Sequence, residues 1–91
     1  MPLLTAQRRD GNEGEIVNAL RHLGCLVIYM DKSSGFDLLV AYRGLLFAME
    51  VKQRGEKLTP RENDLREKLA QHDAPYHVVH DVDEALSVMG W

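Results

Sequence analysis

Outside a central Arg43-Gly44 pair, three charged side chains, Asp37, Glu50 and Lys52, interrupt the two apolar runs between Phe36 and Lys52. Burying charge is costly unless it is paired or bound to a metal, so their presence there asks for a reason. Carboxylate and carbonyl oxygens suit magnesium or manganese. Such an ion polarises a phosphodiester, lowers the pKa of an attacking water and offsets charge on the leaving oxygen. Asp37 and Glu50 could supply two of these oxygens and the backbone carbonyl of Val51 a third. Lys52 would orient the water or stabilise a pentavalent phosphate. The competing reading is structural: an Asp/Glu/Lys salt-bridge set at a sheet edge, with no chemistry attached.

The elements that must position these groups can be read around them. The stretch itself predicts two apolar strands joined by a tight turn at Arg43-Gly44, a β-hairpin. Residues two apart share a face of a strand, so Glu50 and Lys52 point together while Val51 points away. An antiparallel hairpin also sets its first and last residues side by side, which brings Asp37 to that pair. Upstream, Ile16, Val17, Leu20 and Leu23 form one apolar stripe. They predict a helix from Glu13 to about Leu23, with Asn12 as N-cap and Gly24 as its stop. Cys25 to Met30 reads as a short strand and Asp31 to Gly35 as a polar turn.

Downstream of Lys52 comes a polar loop, Gln53 to Lys57. Thr59-Pro60 then has the form of a helix start, with Glu62 completing a capping box. Leu65 and Leu69 give that helix its core face. Tyr76 to His80 reads as a fourth strand, and Asp81 or Asp83 caps a last helix with Ala85, Leu86 and Met89 inward. The order is α-β-β-β-α-β-α. Strands three and four are joined through a helix, which predicts a parallel pair in a mixed sheet. Little polar alternation along the strands predicts helices on both faces.

The 91 residues suit one domain with a single core, and the 45% hydrophobic, 27% charged composition is that of a globular protein. A net charge of −3 provides no global basic field for nucleic acid, so any such contact must rest on local clusters. The one cysteine, Cys25, can form no internal disulfide, and no apolar run has signal-peptide or membrane-span length. These features lead to the expectation of a cytoplasmic protein without a membrane partner. Residues 1–11 read as a flexible arm or helix lead-in.

Gly35-Phe-Asp37, about a dozen further residues, and then Glu50-Val-Lys52 together resemble the PD-(D/E)XK nuclease signature, with Phe36 in the usual proline position. The preceding helix is similar to that of archaeal-type Holliday junction resolvases, where a glutamate opens the helix before an apolar pair, a leucine and a closing glycine. Glu13, Ile16-Val17, Leu20 and Gly24 follow that spacing. Gln53-Arg-Gly-Glu-Lys-Leu-Thr-Pro-Arg-Glu62 looks like the VRR-NUC branch, in particular its stand-alone phage and bacterial members. The resemblance covers Glu13 to about Leu69. It implies a restriction-endonuclease-like core and a hydrolase that cleaves DNA with Mg2+ or Mn2+. Glu13, Asp37 and Glu50 would be the metal-site acids and Lys52 the catalytic lysine. Glu15 competes with Glu13, and spacing to Gly24 favours Glu13. The family pattern has glutamine in the helix after Leu-Thr-Pro, whereas this chain has Glu62 and Asn63 there. Gln53 is then a candidate for a metal-bound water or a phosphate.

Among the remaining charges, Arg54, Lys57, Arg61 and Ser34 are the candidates for phosphate contact, with Arg8, Arg9, Lys32 and Arg66 around them. Such contacts position nucleic acid without reading its sequence. For each singly, a solvated surface charge or a turn-forming serine is the simpler reading. The resolvase resemblance further implies a branched or junction DNA substrate and a two-fold homodimer, whose symmetry matches a four-way junction. Leu45, Phe47, Val88, Met89 and Trp91 are the apolar residues available for that interface.

Overall fold

The computed structural model describes residues 11–91; the predicted arm, with Arg8 and Arg9, lies outside the described residues except for Gly11, which opens the first helix. The elements are α1 (Gly11–His22), β1 (Leu26–Tyr29), a 3-10 turn (Lys32–Ser34), β2 (Leu38–Tyr42), β3 (Leu45–Val51), α2 (Pro60–Ala70), β4 (His77–Val79) and α3 (Val82–Val88). The predicted order α-β-β-β-α-β-α is the observed one.

The four strands form one mixed sheet in the order β1-β2-β3-β4. β1 and β3 run antiparallel to β2, and β4 lies parallel to β3. The hairpin closes through Arg43 and Gly44, with φ of 52° and 82°. Positive φ at both central residues lets a two-residue turn match the twist of the strands. Register then follows from the apolar pattern, with Leu38 opposite Met49 and Val40 opposite Phe47.

The core lies on one face of the sheet. Val27, Leu38, Val40, Met49, Val51 and Val79 meet Ile16, Val17 and Leu20 from α1 and Ala85 from α3. Complete burial of a residue such as Ile16, Leu20 or Leu38 contributes about 1.5–3 kcal/mol each. Leu23, assigned to the α1 stripe from its spacing, falls beyond the helix and is exposed, because the chain turns away at Gly24. The edge strand β1 is blunted by Arg21, whose guanidinium donates to the Val27 carbonyl at 2.9 Å.

The other face is covered less than its composition suggests. α2 buries none of its residues: Leu65 and Leu69, expected to form a core face, are half-exposed. Leu26, Ile28 and Leu46, whose register turns them away from the core, remain largely exposed. The helix instead docks at the end of the sheet that carries the charged residues. Its start is as predicted: Thr59 is the N-cap, Pro60 opens the helix and Glu62 closes a capping box.

Candidate active site

Alternation along β3 sends Met49 and Val51 into the core and Glu50 to the opposite face. Asp37, one residue before β2, continues the hairpin register, since its N–H donates to the Met49 carbonyl at 3.1 Å. Its carboxylate Oδ2 accepts the Val51 N–H at 2.8 Å, which ties it to the end of β3. Glu50 is 2% exposed. Its Oε2 lies 3.3 Å from the Lys52 ammonium, and its Oε1 is buried with no hydrogen-bond partner among the described residues. Burial, reinforced by the negative charge of Asp37 and by the hydrogen bond and charge of Glu62, pushes the Glu50 carboxyl up to about 9, and Lys52 only partly opposes this.

Lys52 is 6% exposed. Its Nζ is 2.9 Å from Glu62 Oε1 and 3.9 Å from Glu56 Oε2. Burial alone would weaken the ammonium; the hydrogen bond to Glu62 and the charges of Glu50 and Glu62 outweigh it and hold the pKa above the ordinary lysine value. Burial likewise disfavours the charged Glu62 carboxyl, but the Thr59 N–H and Lys52 prevail and keep it below its ordinary value.

Glu13, in the first turn of α1, is 3% exposed and lines the same cleft as Asp37, Glu50, Lys52 and Glu62, a cavity of about 760 Å³. Glu15 is exposed and away from the lining. Delivery of Glu13 depends on its neighbour. Asn12, expected as an N-cap, lies within the helix, where its side-chain amide donates to the carbonyls of Lys52 at 3.1 Å and His80 at 2.9 Å. One side chain thus fastens the start of α1 to the ends of β3 and β4. A polar residue beside Glu13 was the only trace of this in the sequence.

Asp37 has a similar support. Gly35, two residues before it, is buried with φ of +86°, and a Cβ there would meet Leu65 Cδ2 at 3.0 Å. The Gly35 carbonyl accepts the Tyr76 hydroxyl at 2.6 Å. Burial, and then the carboxylates of Glu50, Glu62 and Asp37, push that phenol well above its usual range, so it remains a donor. Nothing local in the sequence distinguishes Tyr76 from an ordinary strand residue.

The structure gathers only part of the proposed phosphate-binding set. Arg61 and Lys32 line the cleft, with Arg61 also donating to the Ser33 carbonyl at 3.3 Å. Ser34 Oγ sits 3.5 Å from Asp31 and off the lining. Gln53 and Lys57 are exposed beside the cleft; the Gln53 backbone N–H donates to Glu56 Oε1 at 2.9 Å. Arg54 faces elsewhere, with one Nη at 2.8 Å from Asp81 and 3.1 Å from Glu84. It pins the loop after Lys52 to the start of α3.

Among the described residues, no three His, Cys, Asp or Glu side chains converge as a closed metal cage. Magnesium is commonly held by one or two carboxylates while it keeps several waters, and Asp37 with Glu50 matches that open form. The unpartnered Glu50 Oε1 is a buried oxygen that a hard cation would satisfy on displacing the carboxyl proton.

No protein-family model matches the chain, and no curated protein matches it. A solved structure described as a VRR_NUC domain is similar: the TM-score is 0.66 at 26% identity, over 85% of this chain and 88% of that one.

Proposed function

We propose that this chain, similar to a VRR_NUC domain over most of its length, is a metal-dependent endonuclease that hydrolyses DNA phosphodiester bonds, selects branched or junction structures and works as a homodimer. The observation that carries the reading is Glu50: a carboxylate buried beside Asp37 and Lys52, with one oxygen unpartnered among the described residues, at the end of an open cleft. A magnesium or manganese ion bound there would polarise the phosphate and activate a water.

Asp37 and Glu50 would hold the ion with the Val51 carbonyl, and Glu13, lining the same cleft, would accept from a water of that ion. The Val51 N–H fixes the Asp37 carboxylate from the strand side. Lys52, kept protonated by Glu62 and Glu50, offers a positive charge where negative charge grows on the phosphate. Arg61 and Lys32 flank the opening and would receive neighbouring phosphates. Exposed apolar side chains at Leu45, Leu46 and Trp91 are available for a second copy. A two-fold arrangement would bring two clefts to a symmetric substrate.

The test is cleavage of labelled four-way junction, flap, duplex and single-stranded DNA with magnesium, manganese or EDTA. The expected result is metal-dependent cutting, fastest on the junction, and its loss in Asp37→Asn. Absence of cutting on every substrate with either metal would overturn the nuclease reading, and equal rates on all would overturn the selectivity.

A further inference from the structure

The capping box of α2 and the grip on Lys52 share a single atom. Glu62 Oε1 accepts the Thr59 N–H at 2.8 Å and the Lys52 ammonium at 2.9 Å. The Thr59 hydroxyl accepts the Glu62 N–H at 3.2 Å and completes the box. A capping-box glutamate needs only to reach back to the N-cap N–H. This one is turned inward with its side chain 16% exposed, against a lysine side chain that is 7% exposed. The helix that carries it buries none of its residues. Beside Leu65 over Gly35 and Arg61 on Ser33, the ion pair ties α2 to the charged end of the sheet, where the Glu62 carboxyl also meets that of Glu50.

The Lys52 side chain has four single bonds and would sample several rotamers if unrestrained. Glu50 alone cannot define its direction, since that contact is 3.3 Å long and the Glu50 carboxyl must also serve the cation proposed above. A second acceptor from a different element defines where the ammonium sits. Resting on the nuclease reading, we propose that Glu62 is a positioning residue: its Oε1 uses the fixed geometry of the α2 capping box to hold the Lys52 ammonium beside the Glu50 carboxylate. What the position requires is an acceptor at this reach from the helix start. Glutamine, which can close the same box through its amide oxygen, meets that requirement. Alanine lacks the acceptor, and aspartate is one methylene too short.

The test compares Glu62→Ala, Glu62→Asp and Glu62→Gln with Leu69→Ala, a half-exposed position farther along α2 that lies off the cleft. Two readouts are taken: cleavage kinetics in magnesium, and the rate at which a limiting amine-acylating reagent labels Lys52, scored by peptide mass spectrometry. The exposed Lys57 and Lys68 provide internal references. Glu62→Ala and Glu62→Asp are expected to lower kcat on the order of tenfold to a hundredfold, as a misplaced group does, with KM within a few-fold. In both, Lys52 labelling should accelerate relative to Lys57 and Lys68. Glu62→Gln should restore kcat and protection, and Leu69→Ala should lower thermal stability while changing neither. Labelling of Lys52 that is unchanged in Glu62→Ala, or a kcat loss no greater than that of Leu69→Ala, would overturn the proposal. A wild-type protein that cuts no nucleic acid would overturn the nuclease reading instead, and the labelling would still decide whether Glu62 holds Lys52.

Discussion

In the metal-free protein the Glu50 carboxyl, raised to about 9 by burial and by the carboxylates of Asp37 and Glu62, carries a proton at neutral pH. In the unfolded chain it titrates near its ordinary value and is ionised. A folded-state pKa above the unfolded one contributes stability that is complete below the unfolded value and lost as pH rises through the folded value. Stability without metal should therefore fall between pH 7 and 9, on the order of 1 kcal/mol per pH unit at most. Lys52 stays charged throughout this window, because its pKa is raised from an already higher value. His77, lowered by burial, acts only on the acid side of the window. Thermal melts in EDTA should show the slope, and Glu50→Gln should flatten it. For catalysis, Asp37→Asn and Lys52→Met should each reduce the rate of DNA cleavage about 10²- to 10⁴-fold while the fold is retained, measured by kcat alongside the melting temperature.

The hairpin, α1 and α2 each bring one part of the cleft, and their supports lie outside it. The Tyr76 hydroxyl on the Gly35 carbonyl braces the turn that presents Asp37. Tyr76→Phe removes one hydrogen bond and leaves a buried carbonyl unpaired, at a cost of about 1–3 kcal/mol. Denaturant unfolding should report that loss, and cleavage should weaken with it through Asp37, although Tyr76 is absent from the cleft lining. The elements themselves were largely legible in the sequence. The Arg43-Gly44 turn, the Thr59–Glu62 capping box and the apolar stripe of α1 are local signals, each decided within a few residues by backbone conformation or helical spacing. The supports were not, because Tyr76 meets Gly35 across 41 residues and Asn12 meets His80 across 68. A propensity carries no information about such partners.

At the scale of the whole molecule, a cation that binds the folded protein and not the unfolded chain must stabilise it. Magnesium or manganese at a hundred times its dissociation constant should add about 2.7 kcal/mol, seen as a rise in melting temperature that Asp37→Asn abolishes. Because the metal would take the place of the proton on Glu50, the rise should be larger at pH 8.5 than at pH 6.5. The uncovered face with Leu26, Ile28 and Leu46, and the end where Trp91 stacks on Tyr42 at 5.7 Å, leave apolar surface exposed. None of the helices in the described residues is long and apolar enough to cross a membrane.

The sequence by itself determined the order of elements, the mixed sheet with its parallel last pair, and the placement of Asp37 and Glu50 at one end of a hairpin. These follow from two-residue alternation, turn chemistry and the handedness of a helical crossover, which act over short distances or through topology alone. Only the tertiary structure decided that Arg54 is spent on Asp81 and Glu84, that α2 buries none of its residues and leaves part of a sheet face open, and that Glu62 serves its helix and Lys52 with the same oxygen. Those outcomes depend on which charged groups meet once the chain has closed, and on how much desolvation each suffers there. A residue's type states its charge, while its neighbours decide whether that charge is exposed, paired or held ready for chemistry.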